Sequence, residues 1–422
     1  MNPVVSIAGT ATWLSDRRLQ RLLSTLSQGD ELARVAGGAV RNALFDKSVS
    51  DIDIATTNLP DETVRLAEAA GFKAVATGAE HGTITVIVDG RPFEVTTLRA
   101  DIETDGRRAK VAFGRDWRQD AERRDFTINA LFADADGTVI DYVGGIDDIK
   151  SRTLRFIGDA ETRIREDYLR ILRFFRFFAW YGAGRPDAEG LKACARLKDG
   201  LDRLSAERVW AELKKLLAAP DPSRALLWMR QSGVLTKVLP ESEKWGIDAI
   251  HGLVKSGEDL GWPPDALLRL EALVPPHGDR VATLAERLKL SKAESERLGA
   301  WASTPRVDPS TSEGALAKLL YQGDRDGFID RLRIDLAGAR WRAQQEDKAL
   351  VEAGGFSRLL RFAQKWERPD FPIKGGDLLE LGVPKGPEVG TLIRKLEGAW
   401  IASGFTLGRD ALLERAAQDL AR

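Results

Sequence analysis

The spacing of hydrophobic residues divides the chain into a mixed N-terminal part and a helical remainder. Four leucines at helical spacing predict a helix over 19–26, and residues 31–36 and 52–54 have the pattern of β-strands. A further helix is predicted over 61–70, between a proline and a glycine that mark its ends. Two β-rich runs, 83–88 and 93–98, flank Asp89-Gly90, which predicts a hairpin.

After about residue 150 the strand patterns give way to apolar residues at helical spacing. Proline and glycine clusters punctuate this part and separate successive helices. The sequence therefore predicts a mixed α/β domain followed by a long all-helical part. The expected helices cover residues 163–181, 206–218, 223–232, 280–288, 313–320, 338–354, 357–366 and 388–402.

Composition narrows the function classes. Lys and Arg total 63 against 64 Asp and Glu, so the net charge of -1 argues against a globally basic nucleic-acid binder but leaves room for a local basic groove. Three histidines and one cysteine exclude a disulfide framework and a Cys-rich zinc site, and we expect no disulfide-linked partner. The uncharged apolar stretch 177–184 is far too short to span a membrane. With no basic leader at its start, the chain is expected to be cytoplasmic.

A glycine pair marks the first candidate site. Gly37 and Gly38 follow a predicted strand and open a helix, which would allow a phosphate to approach free backbone N–H groups. Arg41 would add a charge-assisted donor. Taken alone, such a pair is more often a simple tight turn.

Three carboxylates form the second candidate site. Asp51 and Asp53 are two positions apart, so on a strand they would face one side and could share a cation such as Mg²⁺. Glu94, on a later predicted strand, is a candidate third carboxylate. A lone Asp-x-Asp motif is more often a solvated strand edge, and Glu94 alone is equally consistent with a strand that alternates out to solvent.

Together, the glycine turn, the Asp-x-Asp motif and the later carboxylate resemble the polymerase-β-type nucleotidyltransferase superfamily. Three further blocks narrow this resemblance: RRDFTINAL at 123–131, predicted as a helix, DYVGGIDDI at 141–149, and EDYLRILRF at 166–174. The series is similar to the class II tRNA nucleotidyltransferases, the CCA-adding enzymes. The Glu-Asp-x-x-Arg block is most similar to their α-proteobacterial and mitochondrial branch. The resemblance is clear over 31–180 and looser beyond.

Asp167 and Arg170 also suggest a role from their chemistry. At positions i and i+3 of the predicted helix they would share a face, and the simplest interpretation is a salt bridge. Alternatively, Asp167 could accept from an exocyclic amine while Arg170 donates to a ring nitrogen. Cytosine and adenine present that pattern, whereas guanine and uracil present its inverse.

The resemblance implies a role for each matching position. Gly37, Gly38 and Arg41 would contact the triphosphate, and Asp51 and Asp53 would hold metal, with Glu94 as the third catalytic carboxylate. Asp167 and Arg170 would select the base. The remaining nucleotide-binding residues would be Arg124, Asp125 and Asn129 near the ribose and phosphates, with Arg173 and Arg176 helping to hold the nucleotide. Asn42 departs from the family pattern, since many relatives carry Asp there; it could still orient Arg41 by hydrogen bonding.

Two alternatives stay open at this stage. Bacterial poly(A) polymerases share the chemistry, but their relatives carry a basic doublet where this chain has Gly-Ala-Glu-His-Gly at 78–82. The charged stretch 100–117 resembles the flexible loop of enzymes that add the terminal A, which favours full CCA addition. A non-catalytic RNA-binding relative is the second alternative, and the intact acidic and arginine motifs argue against it.

The resemblance implies an α+β nucleotidyltransferase head with a small mixed β-sheet, followed by an all-α neck, body and tail. We expect their boundaries at 1–150, 151–220, 221–340 and 341–422. The expected cofactor is Mg²⁺, and the expected partners are tRNA, CTP and ATP, with no membrane; the oligomeric state is left open. Residues 150–185 hold nine Lys and Arg against four Asp and Glu, and 356–375 hold five against two, so both are candidate phosphate contacts. The stretch 374–390 resembles a tail segment associated with the tRNA elbow, or is a plain helix connection.

Overall fold

The computed structural model describes residues 4–78, 82–105, 108–242 and 246–420. The chain forms two compact units, Met1–Pro240 and Glu241–Arg422. The predicted head and neck fall in the first unit. The finer boundaries at 150, 220 and 340 stay predictions. Positions 79–81 of the poly(A) polymerase comparison lie outside the described residues.

A seven-stranded mixed sheet forms the centre of the first unit, as the sequence predicted. The strands are β1 (Ala33–Ala36), β2 (Asp53–Thr56), β3 (Lys73–Gly78), β4 (Thr83–Val88), β5 (Arg91–Thr97), β8 (Leu131–Ala133) and β9 (Val139–Asp141). Their order in the sheet is β3-β4-β5-β2-β1-β8-β9, and β2 and β5 pair in parallel while all other neighbouring strands pair antiparallel. The hairpin predicted at Asp89-Gly90 is present between β4 and β5, with positive φ at both residues.

The stretch expected to be a flexible loop, 100–117, contains regular structure instead. Strands β6 (Arg99–Asp105) and β7 (Arg108–Phe113) pair antiparallel as a separate two-stranded ribbon, and α4 (Trp117–Glu122) follows it. Backbone pairing within the ribbon satisfies N–H and C=O groups that an open loop would leave to water. The other head helices are α1 (Arg17–Leu26), α2 (Gly38–Leu44), α3 (Pro60–Ala69) and α5 (Gly145–Lys150).

The predicted helix over 123–131 was wrong. Only Thr127–Asn129 form a single 3₁₀ turn, after which the chain enters β8. The carboxylate of Asp125 accepts hydrogen bonds from the backbone N–H of Phe126 and from the side chain of Asn129. This local bonding competes with helical hydrogen bonds, and Phe126 adopts an extended backbone and forms a β-bridge with Phe156.

The helix predicted over 163–181 is interrupted at Asp167. Helix α6 (Ala160–Glu166) ends there and α7 (Leu169–Tyr181) begins two residues later, because Asp167 is extended and accepts from the backbone N–H of Leu169. We predicted that Asp167 and Arg170 lie one turn apart on a continuous helix, and this prediction was wrong. The later helices of this unit are α8 (Ala188–Leu197), α9 (Ala206–Leu217), α10 (Ser223–Gln231) and α11 (Val234–Val238).

Aromatic packing fastens α7 to the head. The rings of Phe126 and Phe156 lie 4.9 Å apart, and those of Phe156 and Phe174 stack at 5.4 Å. Phe126 and Phe174 are fully buried. Because burying a phenylalanine contributes about 1.5–3 kcal/mol to the free energy of folding, this cluster stabilises the packing of α7 against the head.

The second unit is entirely helical in its described residues. The sequence predicted one helix over 338–354, but a turn at 343–346 separates two helices, since their packing against a shared apolar core requires the chain to reverse. Among the described residues, no helix is both long and apolar enough to cross a lipid bilayer. The helices are α12 (Ile247–Leu260), α13 (Ala266–Leu273), α14 (Gly278–Arg287), α15 (Lys292–Ser303), α16 (Glu313–Gln322), α17 (Arg325–Arg342), α18 (Asp347–Lys365), α19 (Gly375–Glu380), α20 (Pro387–Ala402) and α21 (Arg409–Leu420).

Candidate active site

A polar cleft of about 580 Å³ opens in the first unit between the sheet and the helices α7 and α9. Eleven of the thirteen residues that the sequence singled out line it, and they come from segments spread over more than 130 positions of the chain. They are Gly37, Gly38, Arg41, Asp53, Glu94, Arg124, Asp125, Asn129, Asp167, Arg170 and Arg173. The two that do not line it are Asp51 and Arg176.

Gly37 forms the turn between β1 and α2. Its backbone has φ of 64° and ψ of -113°, a conformation that residues with a Cβ rarely adopt. A Cβ at this position would lie 2.9 Å from Nη1 of Arg124, so the absence of a side chain keeps that guanidinium against the turn. The backbone conformation requires glycine here, and an added Cβ would also displace the end of the Arg124 side chain.

The two strands that pair in parallel bring carboxylates together. Asp53 on β2 is in register with Glu94 on β5, and both side chains are exposed at the cleft. Asp51 precedes the strand by two positions, is exposed, and accepts a hydrogen bond from the hydroxyl of Ser50 at 2.8 Å. The walls of the cleft partly shield the carboxyl of Asp53 from water, and this desolvation raises its pKa. The negative charges of Glu94 and Asp51 raise the pKa of Asp53 further.

This carboxylate arrangement fits a divalent cation. Adjacent carboxylates repel one another unless a cation neutralises them, and their hard oxygen atoms are the ligands that Mg²⁺ prefers. No set of three or more His, Cys, Asp or Glu side chains in the described part of the chain is arranged to enclose a metal ion. Mg²⁺ commonly binds one or two carboxylates together with substrate phosphates and waters, so the protein need not supply a complete ligand set.

Arg41 is buried beneath the glycine turn, with only 8% of its surface exposed. Its guanidinium donates to the side-chain oxygens of Asn42 and Asn129 and, at 2.8 Å, to the hydroxyl of Tyr181. It also lies 4.2 Å from the centroid of the Tyr181 ring. Burial lowers the pKa of Arg41, and these neighbours keep it oriented. Asn42, the departure from the family pattern, thus orients Arg41 by hydrogen bonding.

Arg124 and Asp125 belong to two separate ion-pair networks. Arg124 donates to Asp120 at 3.1 Å and to the backbone carbonyl of Asn129 at 3.2 Å. Asp125 is buried and accepts from Nε of Arg173 at 2.7 Å. Although burial alone would raise the pKa of Asp125, the adjacent Arg173 holds it below its usual value. Asp125 therefore remains a carboxylate that orients the basic face of α7.

The two residues proposed to select the base have separate partners. Oδ2 of Asp167 accepts from Nη2 of Arg208 on α9 at 2.7 Å. Arg170 donates to Glu166 and, at 2.7 Å, to the carbonyl of Arg163. Asp167 and Arg170, both among the described residues, form no salt bridge with each other, so each is oriented by its own partner at the cleft.

Arg176 does not line the cleft and forms a 2.6 Å ion pair with the buried carboxylate of Glu212. Sequence reasoning missed several residues that position the site: Asp120, Tyr181, Arg208 and Glu212. A buried charge requires a partner, so the concentration of arginines in 150–185 implied carboxylates nearby. Arg208 pairs with Asp167 and Glu212 pairs with Arg176, each over 35 or more positions of sequence. No local pattern identifies partners that far apart.

Comparison with known proteins identifies relatives over nearly the whole chain. Residues 33–155 match the family model for the poly A polymerase head domain, and 185–245 match that for a probable RNA and SrmB-binding site of polymerase A. The mouse mitochondrial CCA tRNA nucleotidyltransferase 1 is 37% identical over 94% of this chain and 88% of its own length. The CCA-adding enzyme of Streptococcus sanguinis is 32% identical over 87% of this chain and 88% of its own.

A solved structure agrees with these sequence relatives. The CCA-adding enzyme of Bacillus stearothermophilus in complex with CTP superposes with a TM-score of 0.72 at 25% identity. The match covers 96% of this chain and 97% of that enzyme, so it includes the helical unit as well as the head.

Proposed function

Because the chain belongs to the family of CCA-adding tRNA nucleotidyltransferases, we propose that it adds C, C and A to the 3′ end of tRNA from CTP and ATP. Pyrophosphate is released at each addition. The observation that carries this proposal is the position of Asp53 beside Glu94 in a cleft that also contains Arg124, Asp167 and Arg170. One cleft thus holds acidic groups for the reacting phosphate and donors and acceptors for a base.

The residues of the cleft fall into two groups, one suited to the triphosphate and one suited to the base. The backbone N–H groups at Gly37 and Gly38, with Arg124, would bind the triphosphate, since each favours negative charge. Asp167 would accept from the exocyclic amine of cytosine or adenine, and Arg170 would donate to the neighbouring ring nitrogen. Their partners Arg208 and Glu166 hold both groups at the cleft.

Nucleotidyltransferases of this family use divalent metal ions. We propose Mg²⁺, held by Asp51 and Asp53 with Glu94 beside them, because the donors are all carboxylates. When bound, the ion lowers the cost of charge developing on the attacking and leaving oxygens. The carboxylates orient it, and the surrounding arginines stabilise the triphosphate.

Recognition of tRNA would use the helical part of the chain. The basic residues of 356–375 lie on and after α18, where they would contact phosphates. The stretch 374–390 includes α19, a turn and the start of α20, and we propose that it contacts tRNA and is more than a plain helix connection. We also propose a cytoplasmic location, which the single cysteine supports. Some relatives are named mitochondrial, so cell fractionation is the experiment that distinguishes the two compartments.

The proposal is tested with purified protein and tRNA that lacks its CCA end, offered each nucleoside triphosphate alone and in pairs. We expect CTP and then ATP to be incorporated, with extension stopping after three nucleotides. Long A tails would instead support a poly(A) polymerase, and tRNA binding without incorporation would support the RNA-binding alternative. Either result would contradict the proposal.

Isosteric variants test the metal-binding carboxylates. Asp51→Asn and Asp53→Asn should each reduce incorporation by more than about a hundredfold, while tRNA binding and thermal unfolding stay near those of the wild type. The matched control is Asp89→Asn in the exposed hairpin turn, which should leave incorporation unchanged. Near-normal activity of Asp53→Asn would overturn the metal assignment.

A further inference from the structure

The C-terminal end of α7 contacts the helix that begins at the glycine turn. Tyr181 is the last residue of α7, and its hydroxyl lies 2.8 Å from Nη2 of Arg41 and 3.0 Å from Oδ1 of Asn42. Arg41 and Asn42 are both on α2. A single phenol therefore joins α7 to the two polar residues of the phosphate-binding helix, across 139 positions of sequence.

The aromatic ring adds a second, separate contact. The guanidinium of Arg41 lies 4.2 Å from the centroid of the Tyr181 ring and 5.2 Å from that of Phe177, one turn earlier on α7. These two rings stack on each other with centroids 5.8 Å apart. Stacking over a ring face attracts a cation, so the pair grips Arg41 independently of the hydroxyl.

The hydrogen bonds of Arg41 limit what else it can do. A guanidinium has five N–H donors, and bonds to Asn42, Asn129 and Tyr181 engage four of them. Arg41 can therefore offer a phosphate at most one further donor without breaking a contact. Its position depends on the groups that hold it, and Tyr181 is the one that comes from α7.

We propose that Tyr181 is a positioning residue that sets Arg41 for the triphosphate and so ties the phosphate-binding turn to α7. The beginning of α7 carries Arg170 and Arg173, which line the same cleft, and in the proposed function Arg170 contacts the base. One rigid helix thus fixes both ends of the bound nucleotide. This inference rests on the proposed function, because it concerns how the same cleft holds CTP and ATP.

The hydroxyl and the ring are tested separately by Tyr181→Phe and Tyr181→Ala. We expect Tyr181→Phe to raise KM for CTP and ATP about three- to tenfold, as for the loss of one hydrogen bond, with kcat changed less than about twofold. Tyr181→Ala should raise KM further because the ring contact is also lost. The control is Tyr142→Phe, which removes a hydroxyl bonded to Arg34 outside the cleft and should leave both constants unchanged.

A double-mutant cycle with Arg41→Lys separates positioning from a general effect on folding. If Tyr181 acts through Arg41, then Tyr181→Phe should cause no further rise in KM in the Arg41→Lys background. Equal rises in both backgrounds would overturn the proposal, as would an unchanged KM for Tyr181→Phe. Discrimination against UTP and GTP should stay unchanged in Tyr181→Phe, and its loss would overturn the proposal, because the effect would then not be confined to Arg41 and the triphosphate.

The two proposals fail in different ways. Wild-type protein that incorporates neither CTP nor ATP into tRNA would contradict the proposed function. A fully active wild type whose KM is insensitive to Tyr181→Phe and Tyr181→Ala would contradict only the role of Tyr181.

Discussion

Replacing Gly37 by alanine tests whether the turn before α2 holds Arg124 at the cleft. Alanine at φ of 64° and ψ of -113° costs about 1–3 kcal/mol of folding free energy, because L-residues rarely adopt this conformation. The new Cβ would also lie 2.9 Å from Nη1 of Arg124. That group donates to the carbonyl of Asn129 at 3.2 Å, and losing this bond adds about 0.5–1.5 kcal/mol.

Gly90→Ala provides a matched control for the backbone strain. Gly90 has φ of 80°, in the hairpin between β4 and β5, and an added Cβ there would meet no atom within 4 Å. We expect it to lower the free energy of unfolding by about 1–2 kcal/mol and to leave nucleotide incorporation unchanged. Gly37→Ala should lower the free energy of unfolding by about 1.5–4.5 kcal/mol, the sum of strain and the lost hydrogen bond.

The decisive assay is incorporation of CTP at a temperature where both variants are folded, with unfolding followed by circular dichroism. Displacing Arg124 should reduce kcat/KM of Gly37→Ala by about 10- to 100-fold, since small displacements of binding groups have effects of this size. If kcat/KM of Gly37→Ala stayed within about twofold of that of Gly90→Ala, the reasoning that links the turn to Arg124 would be refuted.

Three further predictions concern charged groups. The side-chain hydrogen bond from Arg18 lowers the pKa of Asp16 to about 2. In urea unfolding near pH 6, Asp16→Asn should therefore be less stable than the wild type by about 0.5–1 kcal/mol. This difference should vanish as the pH falls from about 4 to 2, because Asp16 becomes protonated. Burial raises the pKa of Glu271, whose carboxylate oxygens have no hydrogen-bond partner. Ionising this buried carboxyl costs free energy, so the wild type should lose stability relative to Glu271→Gln as the pH rises above about 5. Arg208→Ala frees Oδ2 of Asp167 and should reduce discrimination against UTP and GTP about fivefold in kcat/KM ratios.

Each of these has a result that would count against it. For Asp16→Asn it is a stability difference that persists at pH 2, and for Glu271→Gln it is a pair of parallel pH profiles. For Arg208→Ala the control is Arg196→Ala, which breaks an exposed ion pair with Glu161 outside the cleft. Equal base discrimination in these two arginine variants would exclude a role for Arg208 in orienting Asp167.

Several features could be predicted because they depend on neighbouring residues. The turn at Asp89-Gly90 and the helix over 60–69 follow from backbone preferences of a few adjacent residues. The helix predicted over 123–131 and the continuous helix over 163–181 failed for a local reason that periodicity does not reveal. In each, an aspartate side chain accepts from a nearby backbone N–H and ends the helical bonding.

The sequence by itself determined the mixed head, the helical remainder and eleven of the residues that line the cleft. Only the tertiary structure decided how they are paired, since the parallel register of β2 and β5 sets Asp53 beside Glu94 over 41 positions. It also decided that Tyr181 and Arg208 would hold Arg41 and Asp167. Local patterns specify elements because backbone preferences act over a few residues, whereas a buried charge accepts any partner that packing brings within reach.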